Sequence, residues 1–428
     1  MKQLLLFASL FLVAALITGL SGTAFADSAD VLPKGRSRAN VKAAYYFPID
    51  TRFDEDGNDE DIAAYYNTTL NNYIFPILAG FEESQGGPFP DGTANVGDTI
   101  VTFEITGTEL SADYQYGLTD KLTIGFSIPY SWYKREVTSS VVTDGANVGK
   151  NPGYDPANAD PNDPYDPRWY PVVPFGVPLT KNDVLDLLSG GLDVNGDGVP
   201  DIDGYGYERF GTWSENGIGD IILGGRYQYF KNNQWKLAFT GGVSMPTGSG
   251  DNPNDLMDMP FGADTWGLIF QLQNDYIATE DLILNLSFKY HLYLPDTVTL
   301  RVPNAVDIPI TTNIEEVDRD VGDQFKFNTS ATYQFKPGLS GSIEYQYWKR
   351  LKDEIDGTMG FAYESLEDLT DKTAHMYLIG ISYSTIPLYL EKKFPVPLEV
   401  SLTYENVFAG SNNFLKQDDI IFNLSIYF

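Results

Sequence analysis

The stretch DVNGDGVPDID at residues 193–203 carries the densest set of potential ligands in the chain. Asp193, Asn195 and Asp197 fall at the first, third and fifth positions of a cation loop, Gly198 sits at the sharp turn, Val199 offers a carbonyl, and Asp201 takes the ninth position. Oxygen donors at alternating positions around a glycine suit a hard cation, calcium above all. The twelfth position is Gly204, so the bidentate glutamate of an EF-hand is missing, with Asp203 or Glu208 as its substitute. The expected role of such an ion is structural, folding a long loop where calcium is plentiful. A second acidic run, DEDGNDED at 54–61, fits no closed loop and reads as solvated surface.

Other chemistry has little to stand on. There is no G-x-S-x-G elbow, no H-E-x-x-H pair and no phosphate-cradling glycine loop followed by lysine, so the chain does not read as an enzyme. Its two histidines, His291 and His375, lie far apart and read as strand residues. With no cysteine there can be no disulfide, thiolate metal site or covalently attached c-type haem. A formal charge of -31 repels nucleic acid and attracts cations.

The elements that must position these residues are strands. In KLTIGFSIPYSWY, Leu122, Ile124, Phe126, Ile128, Tyr130 and Trp132 share one parity, opposite Thr123, Gly125, Ser127 and Ser131. DLILNLSFKYHLY, QFKFNTSATYQF, WKLAFTGGVSM and LEVSLTYE repeat the pattern, and the chain finishes on another such segment, QDDIIFNLSIYF. Successive strand side chains point to opposite faces, so each segment has an apolar and a polar face. An exposed terminal strand invites aggregation, and closing the sheet on itself removes the edge. At the other end, Lys2, an apolar run and Ala24-Phe25-Ala26 read as a secretory signal over residues 1–26. No later run reaches the roughly 20 apolar residues of a spanning helix.

The expected fold is therefore all-β: a closed antiparallel transmembrane β-barrel over residues 27–428, with about twelve strands and long extracellular loops carrying short helices. Short connectors such as GLTDK, KNNQ, TED and KPGL alternate with longer ones rich in Asp, Asn, Pro and Gly, which places the short turns in the periplasm of a Gram-negative cell. The connection IPLYLEKKFPVP is long for a periplasmic turn. The second strand changes apolar parity between Ile105 and Leu110, which predicts a bulge near Gly107. The segment DIAAYYNTTLNNYIFPIL has apolar residues three or four apart and predicts an amphipathic helix ending near Pro76, either a lid or a rim decoration; read as two strands, it would bring the count to fourteen. Residues 134–216 form a long loop insertion holding the calcium-type motif, a helix capped by Thr180, and a Pro, Asp and Tyr ribbon.

Turning the apolar parity toward lipid leaves Lys121, Arg226, Lys236, Gln271, Asp275, Lys289, Lys326, Glu344, Arg350, Glu399 and Glu405 facing inward. A charged group costs roughly 2–4 kcal/mol at the lipid midplane of a barrel wall, so these must meet water or one another.

Three segments, YGLTDKLTIGFSIPY, GIGDIILGGRYQYF and VSMPTGSG, resemble in order and spacing the outer-membrane barrels of meta-pathway phenol degradation, relatives of the FadL-type transporters. The resemblance implies passive uptake of hydrophobic or aromatic solutes. The DVNGDG loop itself resembles those of dockerin and thrombospondin type 3 repeats. The terminal aromatic resembles the signal read by the barrel assembly machinery, and the expected surroundings are outer-membrane lipid and lipopolysaccharide. A non-specific, cation-preferring porin, and a structural or adhesive barrel or the sheath of a porin-cytochrome conduit, are the competing functions. The oligomeric state is left open.

Overall fold

The computed structural model describes residues 28–306 and 308–428; the export signal read at residues 1–26 lies outside them. Thirteen segments build the wall: β1 Ser37–Ile49, β2 Asn95–Thr119, β3 Leu122–Val142, β4 Trp213–Ile218, β5 Ile221–Lys231, β6 Trp235–Met245, β7 Gly267–Ile277, β8 Leu282–Tyr293, β9 Gln324–Lys336, β10 Leu339–Arg350, β11 Lys372–Ser384, β12 Leu398–Ser411 and β13 Asp418–Tyr427. Segments β4 and β5 both pair with β3 and share one place in the wall, broken at Gly219–Asp220, so the barrel has twelve strands. Each strand pairs antiparallel with its neighbour, and β13 returns to β1, with Val41 opposite Leu424. No sheet edge remains along the barrel. Among the described residues no helix is long and apolar enough to cross a membrane.

The alternation predicted from the sequence is present on the outside. Leu284, Leu286 and Phe288 of β8 are exposed to the lipid side, whereas Asn285 and Ser287 between them are buried. Tight turns join β2 to β3, β5 to β6, β7 to β8 and β9 to β10 at one end, and the long connections gather at the other.

Three local readings need correction. Residues 62–76 do not form a helix: they run through a 3-10 turn Ala64–Tyr66, a short strand Thr69–Asn71 on the edge of β2, and a second 3-10 turn beginning at Pro76. Asn67 decides this, because its side chain donates to the carbonyl of Val101 at 3.1 Å and accepts from the Val101 amide at 2.6 Å. Such side-chain bonds to the backbone compete with helix formation. The bulge lies in β1 rather than β2: Tyr46 to Ile49 spans one residue more than the facing Gly107 to Ile105, while β2 pairs with β3 without a break from Asp98 to Gly117. Val101, Phe103 and Ile105 keep the inward parity of Glu109 and Ser111, and what changes is the interior they meet. Finally, β3 runs to Val142 and β4 starts at Trp213, so the insertion read as 134–216 shortens to 143–212. The helix α1 Lys181–Leu188 stands within it, closed by a reciprocal Thr180–Asp183 capping box.

Candidate functional site: a stoppered and capped lumen

The interior divides into three levels. At the periplasmic mouth, residues 28–34 fold back inside the wall. The Asp275 carboxylate accepts from the Ala29 amide and the Ser28 hydroxyl, both at 3.0 Å, and from Asn285 at 2.7 Å. Gln228 donates to the Ala29 carbonyl at 2.8 Å, and Lys236 pairs with Asp30 at 2.7 Å. The Leu32 amide donates to the Thr123 hydroxyl at 2.8 Å. Beside this segment lies a cavity of about 330 Å³ bordered by Asp30, Arg38, Asp113, Arg226 and Glu399. Sequence reasoning missed this stopper, because DSADVLPKGRSR has no periodicity to mark it. Only its anchors, Asp275, Lys236 and Arg226, had been assigned to the interior.

Above it lies a band of buried charge. Lys42 on β1 meets Glu109 on β2 at 3.3 Å, and Glu109 also accepts from the Tyr46 hydroxyl at 3.4 Å. Glu405 and Asp419 stand opposite one another on β12 and β13, and Lys326 and Lys42 act on Glu405 electrostatically. Gln346 donates to Glu344 at 2.7 Å. Gln271, Lys289 and Arg350 share this inward parity; Arg350 holds Asp353 through two bonds of 2.7 and 2.9 Å. Lys121 departs from the inward set: it lies in the turn between β2 and β3 and is exposed. Side chains of both signs thus face one another across the middle of the lumen, with ion pairs at Lys42–Glu109 and Arg350–Asp353.

The extracellular mouth is apolar. Tyr133 of β3 stacks on Phe261, with ring centres 5.8 Å apart, and Trp213 stacks on the same ring at 6.4 Å. Met257, Met259 and Phe261 come from the 246–266 connection, Ile62, Ala63 and Tyr66 from the 50–94 connection, and Val101, Phe103 and Ile105 from the wall. The segment expected to be a helical lid is therefore irregular but does reach the mouth. Gly217 is required here, since a Cβ would lie 2.7 Å from the Phe261 ring. The signal that could have located the cap was apolar residues on the lumen-facing parity of β2.

One side chain binds the cap's loops to one another. The Arg301 guanidinium donates to the carbonyls of Tyr205, Gly206 and Thr311 and to Asn254 Oδ1, all at 2.7–3.0 Å, and lies 4.0 Å from the Tyr207 ring centre. It joins the 143–212, 246–266 and 294–323 connections. Nearby, Asp251 has a buried carboxylate oxygen without a hydrogen-bond partner. Burial pushes its carboxyl well above the usual range; Asp258 and Asp255 add to this, whereas Arg135 and Arg319 oppose it. Against the cap, an apolar cavity of about 70 Å³ opens between Ile74, Phe75, Val101, Val184, Leu188 and Leu256.

The calcium-type loop sits on the outer surface. A two-residue ladder, Leu192 with Ile202 and Gly191 with Asp203, closes its ends, and Gly196 and Gly198 take left-handed backbone at φ 79° and 87°. Asp193 accepts from the Gly196 and Gly198 amides at 2.7 and 2.8 Å, Asn195 from Asp197, Asp197 from Val199, and Asp201 from Val194. Each acid thus serves the loop's own amides. Among the described residues no three Asp, Glu, His or Cys side chains gather closely enough to hold a metal.

Residues 173–367 match the family model for the MetA-pathway of phenol degradation. An outer membrane channel from Pseudomonas putida F1 superposes with a TM-score of 0.51 at 13% identity, covering 95% of this chain and 100% of the other. A FadL homologue of Pseudomonas aeruginosa scores 0.34 at 10% identity over 98% of this chain and 93% of its own, and the toluene transporter TbuX of Ralstonia pickettii scores 0.35 at 11% over 93% and 90%. At these identities only the first likeness bears on this chain, and it bears on the fold. No curated protein matches. The closed twelve-stranded wall with its lipid-facing apolar parity makes this chain a closed antiparallel β-barrel, the fold it shares with the Pseudomonas putida F1 channel, and its central strands are similar to the phenol-degradation family.

Proposed function

We propose that this barrel is a passive uptake channel for small hydrophobic or aromatic solutes. The observation that carries the reading is the apolar cavity beside the aromatic cap, which shares Val101 and Tyr66 with it and gives an apolar group a place to leave water among the long connections. The phenol-degradation model over residues 173–367 supports the solute class. The charge band contains both signs, so the lumen gives no basis for preferring cations. The increment in phenol uptake that the refolded chain adds over protein-free liposomes, compared with the increment it adds for a sugar of similar size, tests the proposal; no increment for phenol, or equal increments for both, would sink it.

The long loop is proposed to take one structural calcium ion through Asp193, Asn195, Asp197, the Val199 carbonyl, Asp201 and Asp203. All these donors are oxygen, and the loop is already closed by its ladder. Binding would draw acids now serving amides toward a common centre. Calcium should raise the protease resistance of residues 143–212 and a chelator should reverse it; no change in either direction removes the ion from the account. Insertion by the barrel assembly machinery and contact with lipopolysaccharide complete the proposed setting.

A further inference from the structure

The connection between β11 and β12 lies at the end of the barrel with the tight turns but is far longer than any of them. Its neck is pinned by Thr385, whose hydroxyl donates to the Val396 carbonyl at 2.7 Å and accepts from the Leu398 amide at 2.9 Å. The residues between, Ile386 to Pro397, form an excursion where two or three residues would turn the chain. At its tip Leu390 is 74% exposed, and Tyr389, Phe394 and Val396 are exposed beside it. Lys392 holds left-handed backbone at φ 60°, a conformation that glycine adopts more readily, and Lys393 follows it, paired with Glu391 at 2.6 Å. Tyr389, Leu390, Lys392, Lys393, Phe394 and Pro395 border a common groove.

We propose that this excursion is a docking site for anionic phospholipid of the periplasmic leaflet. Two observations choose the occupant. The exposed apolar residues continue an interface already in contact with lipid, since Ile379, Ile381 and Tyr383 of β11 and Leu402 of β12 are exposed on the outer wall leading to the neck. Among the described residues Lys392 forms no ion pair and Lys393 pairs only with the exposed Glu391, so the two provide a local basic point for a phosphate in a chain of net charge -31, while the aromatic and leucine side chains accept acyl chain. The periplasmic turn was long for its topology because its length serves the bilayer rather than the barrel.

The absence of cysteine makes the test direct, because Leu390→Cys creates a unique labelling site. The full barrel, labelled there with an environment-sensitive fluorophore, is reconstituted in phosphatidylglycerol or phosphatidylcholine vesicles, and barrel closure is verified by heat-modifiable gel mobility. The expected result is a blue-shifted emission that headgroup-level lipid quenchers reach, at least about twofold more strongly in phosphatidylglycerol. In Lys392→Glu/Lys393→Glu the difference between lipids should vanish. A label quenched by aqueous acrylamide alike in both lipids overturns the proposal and leaves a periplasmic protein as the occupant. Lipid quenching that is equal in both vesicles, with or without the lysines, also overturns it.

Discussion

The two mouths of this barrel are closed by opposite chemistry. The periplasmic one is stoppered by residues 28–34 through directed bonds to Asp275, Gln228, Thr123 and Lys236. The extracellular one is sealed by the apolar packing of Tyr133, Trp213, Phe261 and two methionines. Directed bonds release a segment one partner at a time and in water cost little to exchange, whereas an apolar seal yields only when its surface is covered by something else. The contrast predicts an outer mouth that responds to what can displace apolar contacts and an inner mouth that responds to what competes for hydrogen bonds.

The strongest way to break this comparison is to remove the stopper. A chain lacking residues 28–36 should show a several-fold rise in single-channel conductance if the cap opens intermittently; unchanged conductance would mean that the charge band alone sets the resistance. Lys42→Ala leaves Glu109 buried without its 3.3 Å partner and should cost roughly 3–5 kcal/mol in unfolding titrations. Phe261→Ala empties the centre of the cap and should lower its stability by about 3–5 kcal/mol, read as faster proteolysis of the long connections while the wall resists. Acidity sharpens the contrast further. The Asp251 carboxyl is raised in the folded cap, so its contribution is fully present below the unfolded value and is lost as pH rises through the folded one. The cap should therefore loosen from acid toward neutral pH, and Asp251→Asn should flatten that dependence in a proteolysis series. The smallest effect belongs to Thr180→Ala, which removes the α1 cap for about 1 kcal/mol and should leave conductance alone.

The wall was legible because its rule is local: lipid outside and a polar interior impose a period of two on every strand, and all twelve strands could be counted from it. The same rule misled at Gly107, where Val101, Phe103 and Ile105 are apolar yet face inward, because above the charge band the inner face meets the cap instead of water. The lid failed as a helix since helical spacing in residues 62–76 reflects burial in an irregular segment held by Asn67, and spacing alone cannot distinguish the two. The inner stopper left little trace because three of its contacts are made by the backbone of Ala29 and Leu32, which every sequence has, and its side-chain contacts, Ser28 and Asp30, follow no period.

Arg301 carries a further consequence. One guanidinium holds carbonyls or side chains from three connections, so no one of those loops can swing away without breaking bonds that the other two share. A disturbance of any one loop is therefore expected to reach the other two through the Arg301 side chain, and Arg301→Ala should let the three connections be cleaved by protease at independent rates.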